Sequence, residues 1–151
     1  MKTGLMNVAE ITLNYQYAVR PKDRPKICSS NDAVQCFRGI WSDKLEYIEE
    51  MYLMLLNRGN RVLGIMKISQ GGTSGTVVDP KIVFQAALKA NAASFLLSHN
   101  HPSGNIQPSE ADKALTKQLV QAGKFLEISF LDHLILTPDG FYSFADEGMM
   151  Q

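Results

Sequence analysis

Residues 98–112 read SHNHPSGNIQPSEAD and place His99, His101, Ser109 and Asp112 in the spacing HxHx7SxxD. Two imidazoles and one carboxylate are ligands a catalytic zinc ion uses when its fourth position stays open to water. Water held there has a pKa of about 7 and yields hydroxide at neutral pH, while the ion polarises a carbonyl. A base must then take the proton and return it to the leaving amine, and a Glu within hydrogen-bond reach suits that task. The same residues also have a structural reading. Ser109 and Asp112 stand three apart, as in a capping box, where each side chain meets the other's backbone N–H. A capping hydroxyl still has its proton to donate to an oxyanion, so Ser109 can serve both roles. The carboxylate of Asp112 is expected to serve only one of them. Concentration favours the metal, because two of the three histidines of the chain fall in this stretch.

These residues need elements to hold them. Residues 94–98 (SFLLS) are a short apolar run of strand length that ends at His99 and is stopped by Pro102. Side chains two apart in extended backbone point the same way, so His99 and His101 leave the strand on one face and can share one ion. The Pro/Gly-containing turn that follows folds back to Pro108 and Ser109. These open a helix with Ala111, Leu115, Leu119 and Val120 on its apolar face, ended by Gly123. Upstream, residues 8–17 alternate Ile11, Leu13, Tyr15 and Tyr17 at period two, a strand signal. A link with Pro21 and Pro25 follows. Ser30 or Asn31 then caps a helix through Ala33, Val34, Phe37 and Trp41. Residues 50–56 and 61–68 flank Asn57 to Asn60 as a hairpin, and the first arm, apolar on both faces, reads as a central strand covered on two sides. GGTSGT at 71–76 is a loop. Asp79-Pro80 starts a helix to about Asn91 with Ile82, Val83, Ala86, Ala87 and Ala90 inward. The remainder reads as strand, TPDG turn and strand. Intermixed helices and strands imply an α/β or mixed α+β layer.

Bulk properties narrow the function. A chain of 151 residues, 45% hydrophobic and 20% charged, is expected to form a single globular domain over 1–151, with an N-terminal strand and helix (1–45) and a metal-site core (46–148). Fifteen basic residues balance fifteen acidic ones, so no global positive field holds nucleic acid or an anionic membrane. No segment has a signal-peptide pattern or approaches the roughly 18 apolar residues of a membrane span. The two cysteines, Cys28 and Cys36, read as free thiols suited to a reducing cytoplasm. His133, among leucines, reads as a core or edge histidine rather than a partner of the site. Gly71, Gly72 and Gly75 lack a following GK[ST] and read as a substrate-lining loop rather than a phosphate cradle. A free strand edge near that loop could take an extended peptide.

Rival zinc motifs fail. There is no HExxH, no PCxxC to complete a deaminase, and no room for the barrel of about 250 residues that carries the amidohydrolase HxH. The motif instead resembles that of JAMM (MPN-plus) metalloproteases, and in its HNHPSG and PSxxD wording the RadC branch. EEMYLMLLNRGNRVLG, SQGGTSGTVVDP, ALKANAASFLL, LDHLIL and YSFADEG extend the resemblance over roughly residues 8–148. It implies a JAB/MPN domain of the cytidine deaminase-like α/β class, a sheet with helices on both sides. It further implies one catalytic Zn2+ held by His99, His101 and Asp112, with Ser109 stabilising the tetrahedral intermediate. Glu46, Glu49 and Glu50 all lie near enough to be the base. The resemblance implies Glu50, with Glu49 as the alternative. The implied activity is hydrolysis of a peptide or isopeptide bond in a peptide or protein tail; the alternative is a non-catalytic JAB-like binding module. The helix-hairpin-helix-like segment of longer RadC proteins is not expected in the residues ahead of Glu50, which show no GxG-type hairpin. The family name evokes DNA repair, yet the neutral charge argues against strong nucleic-acid binding. Self-association is left open.

Overall fold

Two seven-residue runs whose every side chain is buried set the centre of the fold. The structure, a computed structural model, describes residues 8–71 and 78–151. In chain order its elements are α1 (Ser30–Ile40), β1 (Glu50–Leu56), β2 (Val62–Gln70), α2 (Pro80–Lys89), β3 (Ser94–Asn100), α3 (Glu110–Leu126), β4 (Ser129–Leu136) and β5 (Phe141–Ser143). The strands form one mixed sheet in the order β2-β1-β3-β4-β5. β3 and β4 run parallel, joined over α3, and the other neighbours are antiparallel. β1 and β3 are the wholly buried runs, and a strand apolar on both faces needs a layer on each side.

Alternation sends Met51, Leu53 and Leu55 of β1, with Phe95 and Leu97 of β3, to the face covered by α2 (Val83, Phe84, Ala87) and α3 (Leu119, Val120). Tyr52, Met54, Leu56 and Leu96 go to the other face, against Ala33, Val34 and Phe37 of α1. The expected hairpin closes as read: Asn57 Oδ1 accepts from the N–H groups of Gly59 and Arg61, and Asn60 sits at φ 60°. Asp79 caps α2 by accepting from Lys81 N, with Pro80 as its first residue.

Four local expectations are corrected. Residues 8–17 form no strand, and Ile11, Leu13 and Tyr17 are exposed. The start of β2 is instead met by the proline-bearing link: Val62 N donates to Pro25 O, Ile27 N to Asn60 O, and Lys26 bridges Arg61. Of residues 8–17, Tyr15 docks, donating to Leu63 O at 2.7 Å. The cap of α1 is Ser29, which accepts from Asp32 N, and not Ser30 or Asn31. On α2 the inward aromatic is Phe84, and Ile82 faces out. Gly123 does not end α3, which runs to Leu126 and closes on Glu127 at φ 58°. The glycine serves close approach instead, since a Cβ there would lie 2.3 Å from Ile128 O. Of the loop read at 71–76, residues 72–77 lie outside the described residues. No helix among the described residues is long and apolar enough to cross a membrane.

Candidate active site

β3 delivers the histidines. His99 pairs with Met51 across the antiparallel β1 ladder, on the α2/α3 face. His101 lies one residue past the strand but stays in register, because its N–H donates to Leu136 O of β4 at 3.0 Å. Its side chain therefore emerges beside that of His99, and the two Nε2 atoms stand 3.1 Å apart. The start of α3 faces them. Asp112 Oδ1 is 3.3 Å from His99 Nε2, and Oδ2 is 3.4 Å from His101 Nε2. The structure thus brings His99, His101 and Asp112 together.

The cap and the cluster coexist. Ser109 Oγ accepts from Asp112 N at 3.0 Å, and Ser109 N donates to Asp112 Oδ2 at 2.8 Å, a complete capping box. The cap leaves Asp112 free for a second role, because a carboxylate has two oxygens and about four lone pairs. One oxygen closes the cap, while both lie near the imidazoles.

The partners of each ring nitrogen indicate where its hydrogen sits. His101 Nδ1 lies 2.6 Å from Asn105 O; a carbonyl only accepts, so this nitrogen carries the hydrogen and a neutral His101 turns the lone pair of Nε2 toward His99. His99 Nδ1 lies 2.8 Å from His133 Nε2, and His133 Nδ1 lies 2.7 Å from Thr116 Oγ1. Burial pushes the His133 imidazole far below the usual histidine range, so it stays neutral. Burial alone would raise the Asp112 carboxyl, but its hydrogen bonds with His101 and His99 and with the Ser109 backbone N–H hold it far below the usual range; the Asp112 hydrogen bond in turn raises His101. A cluster of acceptor atoms that depresses its acid and raises its imidazole is one that draws positive charge. This donor set suits zinc, which takes imidazole nitrogen and carboxylate oxygen.

Glu50, the expected base, is not among the residues that line the cleft of the histidines. Glu50 pairs with Gln70 of β2, and alternation from Met51 puts its fully buried side chain on the face opposite the histidines. Its carboxylate accepts from Lys67 Nζ at 2.8 Å and from Ser42 Oγ. Burial alone would raise its pKa, but these bonds and the Lys67 charge leave it lower than an ordinary Glu. Such a group is a buried anchor. Glu49, two residues before Met51, shares the face of His99. A carboxylate oxygen of Glu49 and ring nitrogens of His99 and His101 all lie within 4.8 Å of one another, an arrangement that could hold a metal ion. Glu49, Met51, Val78, His99, His101 and Ser109 line one cleft of ≈ 730 Å³. A second cavity of ≈ 860 Å³ lies at the far end of the sheet, around Asn57, Asn91 and Ser129, and none of its lining residues is a His or Cys.

Two neighbours complete the surroundings of the histidines, Asn100, which sequence pattern did not single out, and His133. Asn100 stands between the histidines, on the other face. Its Oδ1 accepts from Glu50 N at 2.7 Å, and its Nδ2 donates to Leu45 O and Ile48 O at 2.7 and 2.8 Å. All three bonds grip the segment that delivers Glu49. His133 is buried as expected, but it touches His99 directly. The usable signal for Asn100 was the strand alternation itself, which sends the middle residue of HxH to the opposite face from its neighbours.

A mixed sheet flanked by helices, with this cluster between the end of β3 and the start of α3, defines a JAB-type domain with a candidate metal centre. Residues 27–149 match the family described as the RadC-like JAB domain, and the chain belongs to that family. It is similar to the UPF0758 protein of Flavobacterium johnsoniae (43% identity over 124 residues, 82% of this chain and 53% of the relative). It is likewise similar to the UPF0758 proteins of Chlorobium chlorochromatii (34% over 143 residues, 95% and 64%) and Porphyromonas gingivalis (40% over 103 residues, 68% and 45%). The chain spans roughly half to two thirds of the length of these curated relatives.

Proposed function

We propose that the cleft is the active site of a zinc-dependent hydrolase of the JAMM type, acting on a peptide or isopeptide bond in a peptide or protein tail. The observation that carries this reading is the convergence of His99 Nε2 and His101 Nε2, 3.1 Å apart, on the Asp112 carboxylate. Each ring has its other nitrogen engaged elsewhere. His99, His101 and Asp112 would hold the ion. When bound, zinc supplies Lewis acidity toward a carbonyl oxygen and lowers the pKa of water.

The remaining steps belong to the chain. Glu49, just ahead of β1 and lining the cleft, takes a proton from the attacking water at its carboxylate and returns it to the leaving amine. Ser109 Oγ accepts from Asp112 N, which leaves its own proton to donate to the developing oxyanion. Met51, Val78 and Leu115 give the cleft an apolar wall that restricts water on that side.

The test is incubation of the zinc-loaded chain with a peptide library and with lysine-isopeptide-linked peptides. Turnover is expected, to be lost on chelation and in Glu49→Gln. Zinc binding without turnover would make the chain a non-catalytic binding module, and failure to bind zinc would remove the ligand assignment itself.

A further inference from the structure

We propose that Thr116 and His133 are positioning residues that present His99 Nε2 to a metal as a bare lone pair; the inference rests on the ligand assignment above. Four groups form a chain of short hydrogen bonds. His99 Nδ1 meets His133 Nε2 at 2.8 Å, His133 Nδ1 meets Thr116 Oγ1 at 2.7 Å, and Thr116 Oγ1 meets Asp112 O at 2.8 Å.

The last group fixes the direction of all the others. Asp112 O is a carbonyl and only accepts, so the hydroxyl of Thr116 spends its single proton there. Thr116 Oγ1 must then accept from His133, which places a hydrogen on His133 Nδ1. The ring is fully buried and neither nitrogen bonds a carboxylate, so as a neutral imidazole its Nε2 is an acceptor and takes the hydrogen of His99 Nδ1. A neutral His99 then has no hydrogen on Nε2, the atom that faces His101 and Asp112. Reversing any one of these bonds sets two hydrogens or two lone pairs against each other where no water can intervene, since Thr116, His99 and His133 are all buried.

The rings cannot turn to escape. Phe144 stacks on His133 with centroids 4.8 Å apart and planes 12° from parallel. The backbone behind His133 is held by Asp132 Oδ1, which accepts from His133 N and Ala145 N, and by the Phe144 N to His133 O bond. The chain begins in β3, crosses β4 and ends on the main-chain oxygen of Asp112. Two of the three assigned ligands are thus tied together through protein as well as through the ion. Partners of this kind, at one remove from a ligating histidine, typically change metal affinity 10–100-fold when removed.

The experiment uses the full chain in two forms. Long-range imidazole 1H–15N correlation spectra of the metal-free protein at pH 8 should show His99 and His133 as Nδ1–H tautomers. Zinc affinity, measured by competition with a chromophoric chelator, should be about 10–100-fold weaker in Thr116→Val and close to wild type in Thr116→Ser. Packing alone predicts the opposite order, because Val matches the shape of Thr and Ser does not. An Nε2–H tautomer at either ring of the wild type, or Thr116→Val binding zinc as tightly as wild type, overturns the inference. If the wild type binds no zinc, the ligand assignment fails separately, and the tautomer spectra still decide whether the chain is directed as argued.

Discussion

Exchanging the two adjacent acids one at a time separates a base from an anchor. Glu50→Gln keeps shape and one acceptor oxygen but loses the charge that Lys67 and Ser42 address. A hydrogen bond to a charged group contributes roughly 1.5–3 kcal/mol, and Lys67 is 39% exposed and so partly screened. A loss of about 2 kcal/mol follows, which for a chain of this size lowers Tm by about 4–8 °C. The pH profile has a definite sign. The Glu50 pKa is depressed in the folded chain, so its contribution is complete above the unfolded value and is lost as pH falls through the lower, folded one. Glu50→Gln should therefore cost most near neutrality and little in acid. Glu49→Gln should behave oppositely, shifting stability by no more than about 0.5 kcal/mol while slowing zinc-dependent turnover by about 10²–10⁴-fold. Thermal melts at two pH values and turnover per folded molecule form the assay. Loss of turnover in Glu50→Gln at an unchanged Tm, with Glu49→Gln active, would refute the assignment of faces.

Three further outcomes are expected. Asn100→Asp sets a carboxylate against the carbonyls of Leu45 and Ile48, which should cost about 3 kcal/mol or more in denaturant unfolding and slow turnover while zinc affinity holds. Gly123→Ala, which helix propensity alone would favour by about 1 kcal/mol, should instead destabilise by about 1–3 kcal/mol, because Ile128 O is backbone and cannot swing aside; a gain in urea midpoint would contradict this. Free zinc at a hundred times its Kd should add about 2.7 kcal/mol and raise Tm by about 5–10 °C. His101→Ala should abolish that shift in the same melt.

Much of the scaffold is legible because single residues settle it. Asp79-Pro80 can only begin a helix, the Asn57–Asn60 loop can only reverse the chain, and the run before His99 is too short and too apolar for anything but a covered strand. What failed needed information from a partner. Residues 8–17 alternate as a strand should, but a strand exists only where a neighbour offers its edge, and the Pro25–Ile27 link occupies the start of β2. Gly123 resembles a helix stop, and its true reason, the carbonyl of Ile128 pressed against it, lies across a turn that local pattern does not describe.

The base shows the same limit at the site itself. In β1 both alternating sets, Met51, Leu53, Leu55 and Tyr52, Met54, Leu56, are apolar, so composition cannot say which faces the histidines. A slip of one residue exchanges the faces completely. One register pair resolves it: Met51 lies opposite His99, so Glu49 shares the histidine face, while Glu50 joins Asn100 on the other. The rule that brings His99 and His101 together thus also separates the two acids. It divides the EE and HNH strings by face: Glu49, His99 and His101 to the cleft, Glu50 and Asn100 to the buried network that holds the cleft's strands in place.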